Sequence, residues 1–252
     1  MTMNRFLTII LPLVLAASPL TLKASLKTDA DAAYKNENYL KASQLYEQVL
    51  RQGESADVYY NLGNAYYRQD DFAHAVLNYE RAMLLSPGSS DLRYNLDLAR
   101  SKTVDKITPR SEMFFVTWYK TLVSLQSADS WGRIAIFCFV AMLLASMLYL
   151  LSPRVVLRKV GFFGGLAMLF VVVLANLFAF QLRQRINNRT SAIVMNNSVV
   201  VRSTPNSTGT ELFVLHSGTK VEVLDEGIGS WREVELEDGR IGWIPSGSIE
   251  KI

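Results

Sequence analysis

The chain has 252 residues, a formal net charge of +3 and a single cysteine, Cys138. So small a net charge, with no basic arm, argues against nucleic acid as a partner. One cysteine forms neither an internal disulfide nor a thiolate cluster for metal.

Apolar residues gather in three runs, at 6–17, 134–151 and 160–180. The first comes after Arg5 and ends in Leu15-Ala16-Ala17-Ser18. A short positive start, an apolar stretch too short to span comfortably and small residues after it make a secretory signal, assigned to residues 1–24. Cleavage after Ala17, Ser18 or Ala24 fits equally, and an uncleaved anchor is the alternative. Either one exports the segment C-terminal to it.

Residues 25–105 repeat with a period of 34. Asp57, Tyr60, Asn61 and Leu62 recur as Asp91, Tyr94, Asn95 and Leu96, and Ala75 and Tyr79 look back to Ala42 and Tyr46. One unit, 56–89, is well formed: Tyr59, Leu62, Gly63 and Tyr66 on a first helix, Ala75, Tyr79, Ala82 and Pro87 on and after a second. Small residues fall where two antiparallel helices must touch, and Asp70-Asp71 and Pro87-Gly88 punctuate them. This order resembles the tetratricopeptide repeat. The unit at 25–55 is a degenerate copy, with Ala30 and Ala33 in place of Gly63 and Tyr66, and 90–105 is a capping helix.

Stacked repeats of this kind offer a concave face lined by their first helices. Projected by the period, that face carries Tyr34, Lys35, Tyr60, Asn61, Asn64, Tyr67, Arg68, Tyr94, Asn95 and Lys102. Tyrosine, asparagine and a basic residue per repeat suit a protein segment, with a lean towards carboxylates; ordinary solvated residues beside a core are the plain alternative. Lys27 and Asn61 fall on carboxylate-clamp positions of chaperone-binding members of that family. Asp31, Asp91 and Asn95 do not complete the set, so no clamp is expected.

Segment 106–133 is aromatic, with Phe114, Phe115, Trp118, Tyr119 and Trp131 largely on one helical face, as in a helix at the headgroup layer or one packed on the repeats. Asp129 or Ser130 is expected to cap the next helix. Runs 134–151 and 160–180 hold no charge and are long enough to cross a bilayer. The eight-residue connection 152–159 makes them a hairpin with a cytoplasmic loop containing Arg154, Arg158 and Lys159, although Arg183, Arg185 and Arg189 flank the other side. Gly161 and Gly165, with Ala141 and Ala145, fit close helix packing or an oligomer contact. Asn176 is expected to make an interhelical hydrogen bond.

A linker, 181–191, leads to 192–252, where five short β runs separated by turns indicate a small barrel. Val200-Val201-Arg202-Ser203-Thr204-Pro205, Gly218-Thr219-Lys220-Val221, Trp231 with Val234, and Gly242-Trp243-Ile244 resemble the bacterial SH3-like domain. Trp231 and Trp243 are expected to build the barrel rather than touch a ligand.

The chain thus reads as a multidomain membrane protein: all-α tetratricopeptide repeats, a transmembrane helical hairpin and a small all-β SH3-like barrel. His74 and His216 lack partners at ligand or triad spacing, so no catalytic residue, metal or cofactor is assigned and no enzyme is expected. The order of these parts, with Tyr59-Tyr60-Asn61-Leu62-Gly63-Asn64-Ala65-Tyr66-Tyr67 and Ser127-Ala128-Asp129-Ser130-Trp131, resembles the BatE proteins of the Bacteroides aerotolerance operon group. That resemblance implies an inner-membrane scaffold in envelope stress tolerance, its partners being von Willebrand A-type Bat membrane proteins. A peptidoglycan-binding sensor or anchor is the alternative.

Overall fold

The computed structural model describes residues 25–225 and 229–252, so the signal-like start lies outside the described residues. The chain divides into two compact units, one holding the repeats and the β domain, the other residues 83–89 and 110–189.

Five helices build the repeats: α1 over 25–35, α2 (Tyr39–Leu50), α3 (Ala56–Tyr67), α4 (Phe72–Leu85) and α5 (Ser90–Lys102). Their punctuation is local. Asn38 caps α2 by accepting from the Lys41 amide at 3.1 Å, and Asp71 accepts from the His74 amide at 3.2 Å to start α4. Asp70 supplies the left-handed turn between α3 and α4 at φ 59°, a conformation Asp tolerates better than most residues. Lys106 closes α5, its ammonium donating to the carbonyls of Arg100, Ser101 and Thr103 at 3.0, 2.9 and 2.7 Å.

Ala30, Ala42, Tyr46, Val49, Val58, Leu62 and Ala65 form the core between α1, α2 and α3. The degenerate unit keeps the logic of the well-formed one. Tyr46 donates to Asp31 at 2.7 Å and Tyr79 donates to Asn64 at 2.7 Å, each reaching from a second helix to a polar residue fifteen positions back on a first helix. Both rings are buried, and burial pushes both phenols well above their ordinary range. Gly63 is glycine because a Cβ there would lie 2.6 Å from the Tyr79 ring.

The β domain is one antiparallel sheet of seven strands in the order β3-β2-β6-β5-β4-β1-β7. Five strands answer to the expected runs: β2 (Ser198–Arg202), β3 (Glu211–His216), β4 (Lys220–Asp225), β5 (Trp231–Leu236) and β6 (Ile241–Pro245). Two more, β1 (Ser191–Val194) and β7 (Ile249–Lys251), pair with each other and add the last edge. Val194, Val199, Val201, Leu215, Val221, Val234, Leu236 and Ile244 make its core, and Ile107, from beyond α5, packs against it. The three-residue loop Glu237-Asp238-Gly239 joins β5 to β6, with Gly239 in the left-handed last position at φ 89°.

The second unit contains α6 (Phe114–Val123), α7 (Ala128–Leu151) and α8 (Val155–Asn187). Both α7 and α8 are long and apolar enough to cross a membrane, and only 11% of the most apolar window of each is buried, the reverse of a soluble core helix. They outrun the apolar sequence. The turn between them shrinks to residues 152–154, and residues 181–187 continue α8, because Gln, Arg and Asn are compatible with a helix even where polarity ends the apolar run. Ser127, not Asp129 or Ser130, caps α7, accepting from the Ser130 amide at 3.2 Å.

The hairpin is tight at Gly161, where a Cβ would lie 2.6 Å from the Ala145 carbonyl oxygen and 2.7 Å from the Tyr149 amide nitrogen. α6 lies against it through Val123, Phe178 and Leu182, with Trp131 donating to the Val123 carbonyl at 3.0 Å and Tyr119 to Gln181 at 2.8 Å. Asn176 departs from expectation: it donates to Val172 of its own helix at 2.8 Å and is exposed, one residue round from the buried Ala175.

Candidate protein-interaction site

The first helices α1, α3 and α5 bring Tyr60, Asn61, Asn64 and Asn95 into two adjoining networks. In one, Asn95 donates to Tyr60 at 2.8 Å and to Asn64 at 3.0 Å, while Tyr79 donates to the same Asn64 oxygen. In the other, Asp31 accepts from Tyr46 and Lys27 and, at 3.5 Å, from Asn61. Burial raises the Tyr34 phenol, moderated by the nearby Arg68 cation.

The remaining expected residues divide. Tyr94 is 68% exposed, and Lys35 is exposed at the end of α1. Tyr67 packs edge-on against Phe72 at 5.5 Å, and Arg68 lies 4.8 Å over the Tyr39 ring, so both side chains have partners beside the ladder. Lys102 stands apart, lining a cavity of about 550 Å³ with Asp70, Phe72, Met195 and Ser217. Asp31 was absent from the expected face, yet it occupies Lys27 and Asn61, the two clamp-like residues. The period pointed to it, since thirty-three residues on from Asp31 lies Asn64.

The β domain meets the repeats through charged groups. Asp105 accepts from the His216 amide at 2.7 Å and the Thr219 hydroxyl at 2.6 Å, while its other oxygen lies 2.8 Å from His216 Nδ1. Burial pushes the Asp105 carboxyl up, but the bonds from Thr219 and His216 outweigh it and hold the group below the ordinary carboxylate range. Glu80, buried on α4, pairs with Arg100 of α5 and with Lys220 of β4 at 2.9 Å. Burial pushes Glu80 up too, and the two cations more than reverse it. Arg81 reaches Glu250 at 3.0 Å and the Lys251 carbonyl at 2.5 Å.

Both histidines therefore have carboxylate partners, contrary to the expectation from spacing, since His74 Nδ1 lies 2.7 Å from Asp71. The bond to Asp71 raises the His74 pKa against the opposing effect of burial. Neither arrangement supplies a nucleophile on the second imidazole nitrogen, and no cluster of three His, Cys, Asp or Glu side chains capable of holding a metal occurs among the described residues.

Trp231 and Trp243 are half-buried. Gly242 and Ile244 are buried, so strand alternation turns Trp243 to the opposite, outward face. Trp231 shares the outward parity, opposite to buried Val234 and Leu236. Neither ring belongs to the barrel core. Around Trp243, the neighbouring strands place Arg202 on one side and Glu233 on the other.

Residues 56–89 match the family model of the tetratricopeptide repeat. Residues 197–250 match that of the bacterial SH3 domain. No match was found among curated proteins. The two likenesses cover the well-formed repeat and most of the β domain, and both are modules whose ordinary work is to hold other molecules.

Proposed function

We propose that this chain is a non-catalytic membrane scaffold that binds a protein partner on the first-helix face of its repeats. The observation that carries this reading is the ladder of Tyr60, Asn64 and Asn95, fixed by its own hydrogen bonds and flanked by the exposed ring of Tyr94. Amphipathic rings held beside pre-positioned amides recognise a peptide backbone at small entropic cost. The β domain is engaged by α4 and the segment after α5, at Glu80, Arg81 and Asp105, which leaves Tyr94 open.

Two features support a hairpin with both soluble parts on one side. α7 and α8 expose apolar surface along their length. Asp105 precedes these helices and His216 comes after them, so a contact between the two is compatible with an even number of crossings. The signal-like start favours the exported side of a bacterial inner membrane. The order of parts supports the finer proposal of a BatE-like role in envelope stress or aerotolerance, with von Willebrand A-type Bat membrane proteins as partners.

Co-purification of such a partner from solubilised membranes tests the scaffold. Tyr94→Ala with Lys35→Ala weakens it at least tenfold while the melting temperature stays put; unchanged recovery from the folded variant rules out the face.

A second reading, peptidoglycan contact through the β domain, is favoured by one observation: Trp231 and Trp243 lie outside the core on the outward face. Saturable sedimentation of the full chain with purified peptidoglycan, lost in Trp243→Ala, supports it, and absence of sedimentation removes it.

A further inference from the structure

α8 carries a stripe that the other described residues of its own unit leave uncovered. Leu169, Val173, Asn176, Phe180 and Arg183 succeed one another at spacings of four, three, four and three, and all are exposed. α7 is met most tightly on another face, at Gly161. Asn176 gives one N–H to Val172, and its carbonyl oxygen and second N–H have no partner among the described residues. Within a bilayer no water is at hand to satisfy them, so a bare carboxamide there is costly. Arg183, about 10 Å further along the helix, is approached by Asp129 only at 3.9 Å.

Resting on the membrane-spanning reading of α7 and α8, we propose that this stripe docks a transmembrane helix of another membrane protein. The helix it fits offers an amide or hydroxyl at the depth of Asn176 and a carboxylate at the boundary beside Arg183. A second copy of this chain fits poorly. Copies inserted with the same topology run parallel, and a two-fold pair centred on Asn176 brings Arg183 against Arg183, a like-charge contact. Lipid alone leaves the Asn176 oxygen unsatisfied. Interhelical bonds of this type are modest singly, so the surrounding Leu169, Val173 and Phe180 supply the packing.

The test places a photoreactive benzophenone in the full chain in native membranes, as Leu169→p-benzoylphenylalanine on the stripe and Phe170→p-benzoylphenylalanine at the same depth, about 100° round the helix from it. Irradiation is expected to give an adduct heavier than the chain, and different in mass from a dimer, from position 169 and not from 170. Asn176→Leu cuts its yield about threefold to tenfold, the range of one intramembrane hydrogen bond. Asn176→Gln keeps most of it, and Arg183→Glu reduces it. An adduct at twice the chain mass assigns the stripe to a second copy and overturns the proposal. So does equal yield from both positions, or a yield indifferent to Asn176→Leu. Alkaline carbonate extraction separates the two levels. A chain retained in the pellet but giving no adduct refutes the docking alone, and a chain released to the supernatant refutes the membrane reading.

Discussion

Asp105 accepts the backbone N–H of His216 at 2.7 Å, a bond between residues 111 positions apart with both long apolar helices between them in the chain. A reporter active only outside the cytoplasm, fused after Asp105 or after Ile252, is therefore expected to be active at both sites. Activity at one site alone refutes the shared side.

Glu80 is the buried charge at the contact between repeats and β domain, holding Arg100 of the repeats and Lys220 of β4. Glu80→Gln leaves Arg100 and Lys220 facing each other without their carboxylate, and is expected to cost about 2–3 kcal/mol of unit stability. Lys220→Met, which leaves Glu80 its bond to Arg100, costs less. Thermal unfolding of both variants decides the order, and the reverse order contradicts the bridge.

Both Asp105 and Glu80 sit below their ordinary values of 3.8 and 4.5. Depressed carboxylates contribute stability that is present in full above the unfolded value and is lost as pH falls through the folded one. The stability gap between the native chain and Asp105→Asn is therefore expected to be widest above about pH 5 and to close in more acidic solution. Denaturant unfolding at pH 7 and pH 3 reads this directly, and a gap that widens in acid contradicts it.

Tyr79 and Tyr94 lie on the same repeat lattice and should respond oppositely. Tyr79→Ala removes a ring that is 1% exposed and also frees the Asn64 oxygen, so a loss of about 3–5 kcal/mol is expected. Tyr94→Ala changes stability by less than about 0.5 kcal/mol. Equal effects in urea unfolding would mean that Tyr94 is core rather than surface.

The repeats were legible because their packing is periodic. Tyr46 and Tyr79 recur at a fixed interval, and the small residues opposite them recur too. The long apolar helices were legible from length and polarity, although helix and apolar run do not end together. Strands β1 and β7 were hidden, since Ser191–Val194 is too short to alternate and Ile249–Lys251 shows little apolar pattern. Hydropathy places Asn176 within a span but not on a side of it. The Glu80–Lys220 and Asp105–His216 pairs left no trace because charged residues 140 and 111 positions apart have no spacing rule to join them. The outward parity of Trp231 and Trp243 was readable from strand alternation, because buried Val234, Leu236 and Ile244 fix the inner face.

Asp31 and Asn64 receive equivalent tyrosine bonds in successive units, yet one acceptor is charged and the other neutral. Asp31→Asn would turn the first unit's acceptor into the second's: the oxygen that holds Tyr46 and Asn61 stays, and Lys27, held by the other, is released onto the same surface. Exchanging one oxygen for an NH2 group thus separates an electrically quiet groove from one that attracts acid. Ligand preference in such an array can drift by single nucleotide changes while the helices keep their places.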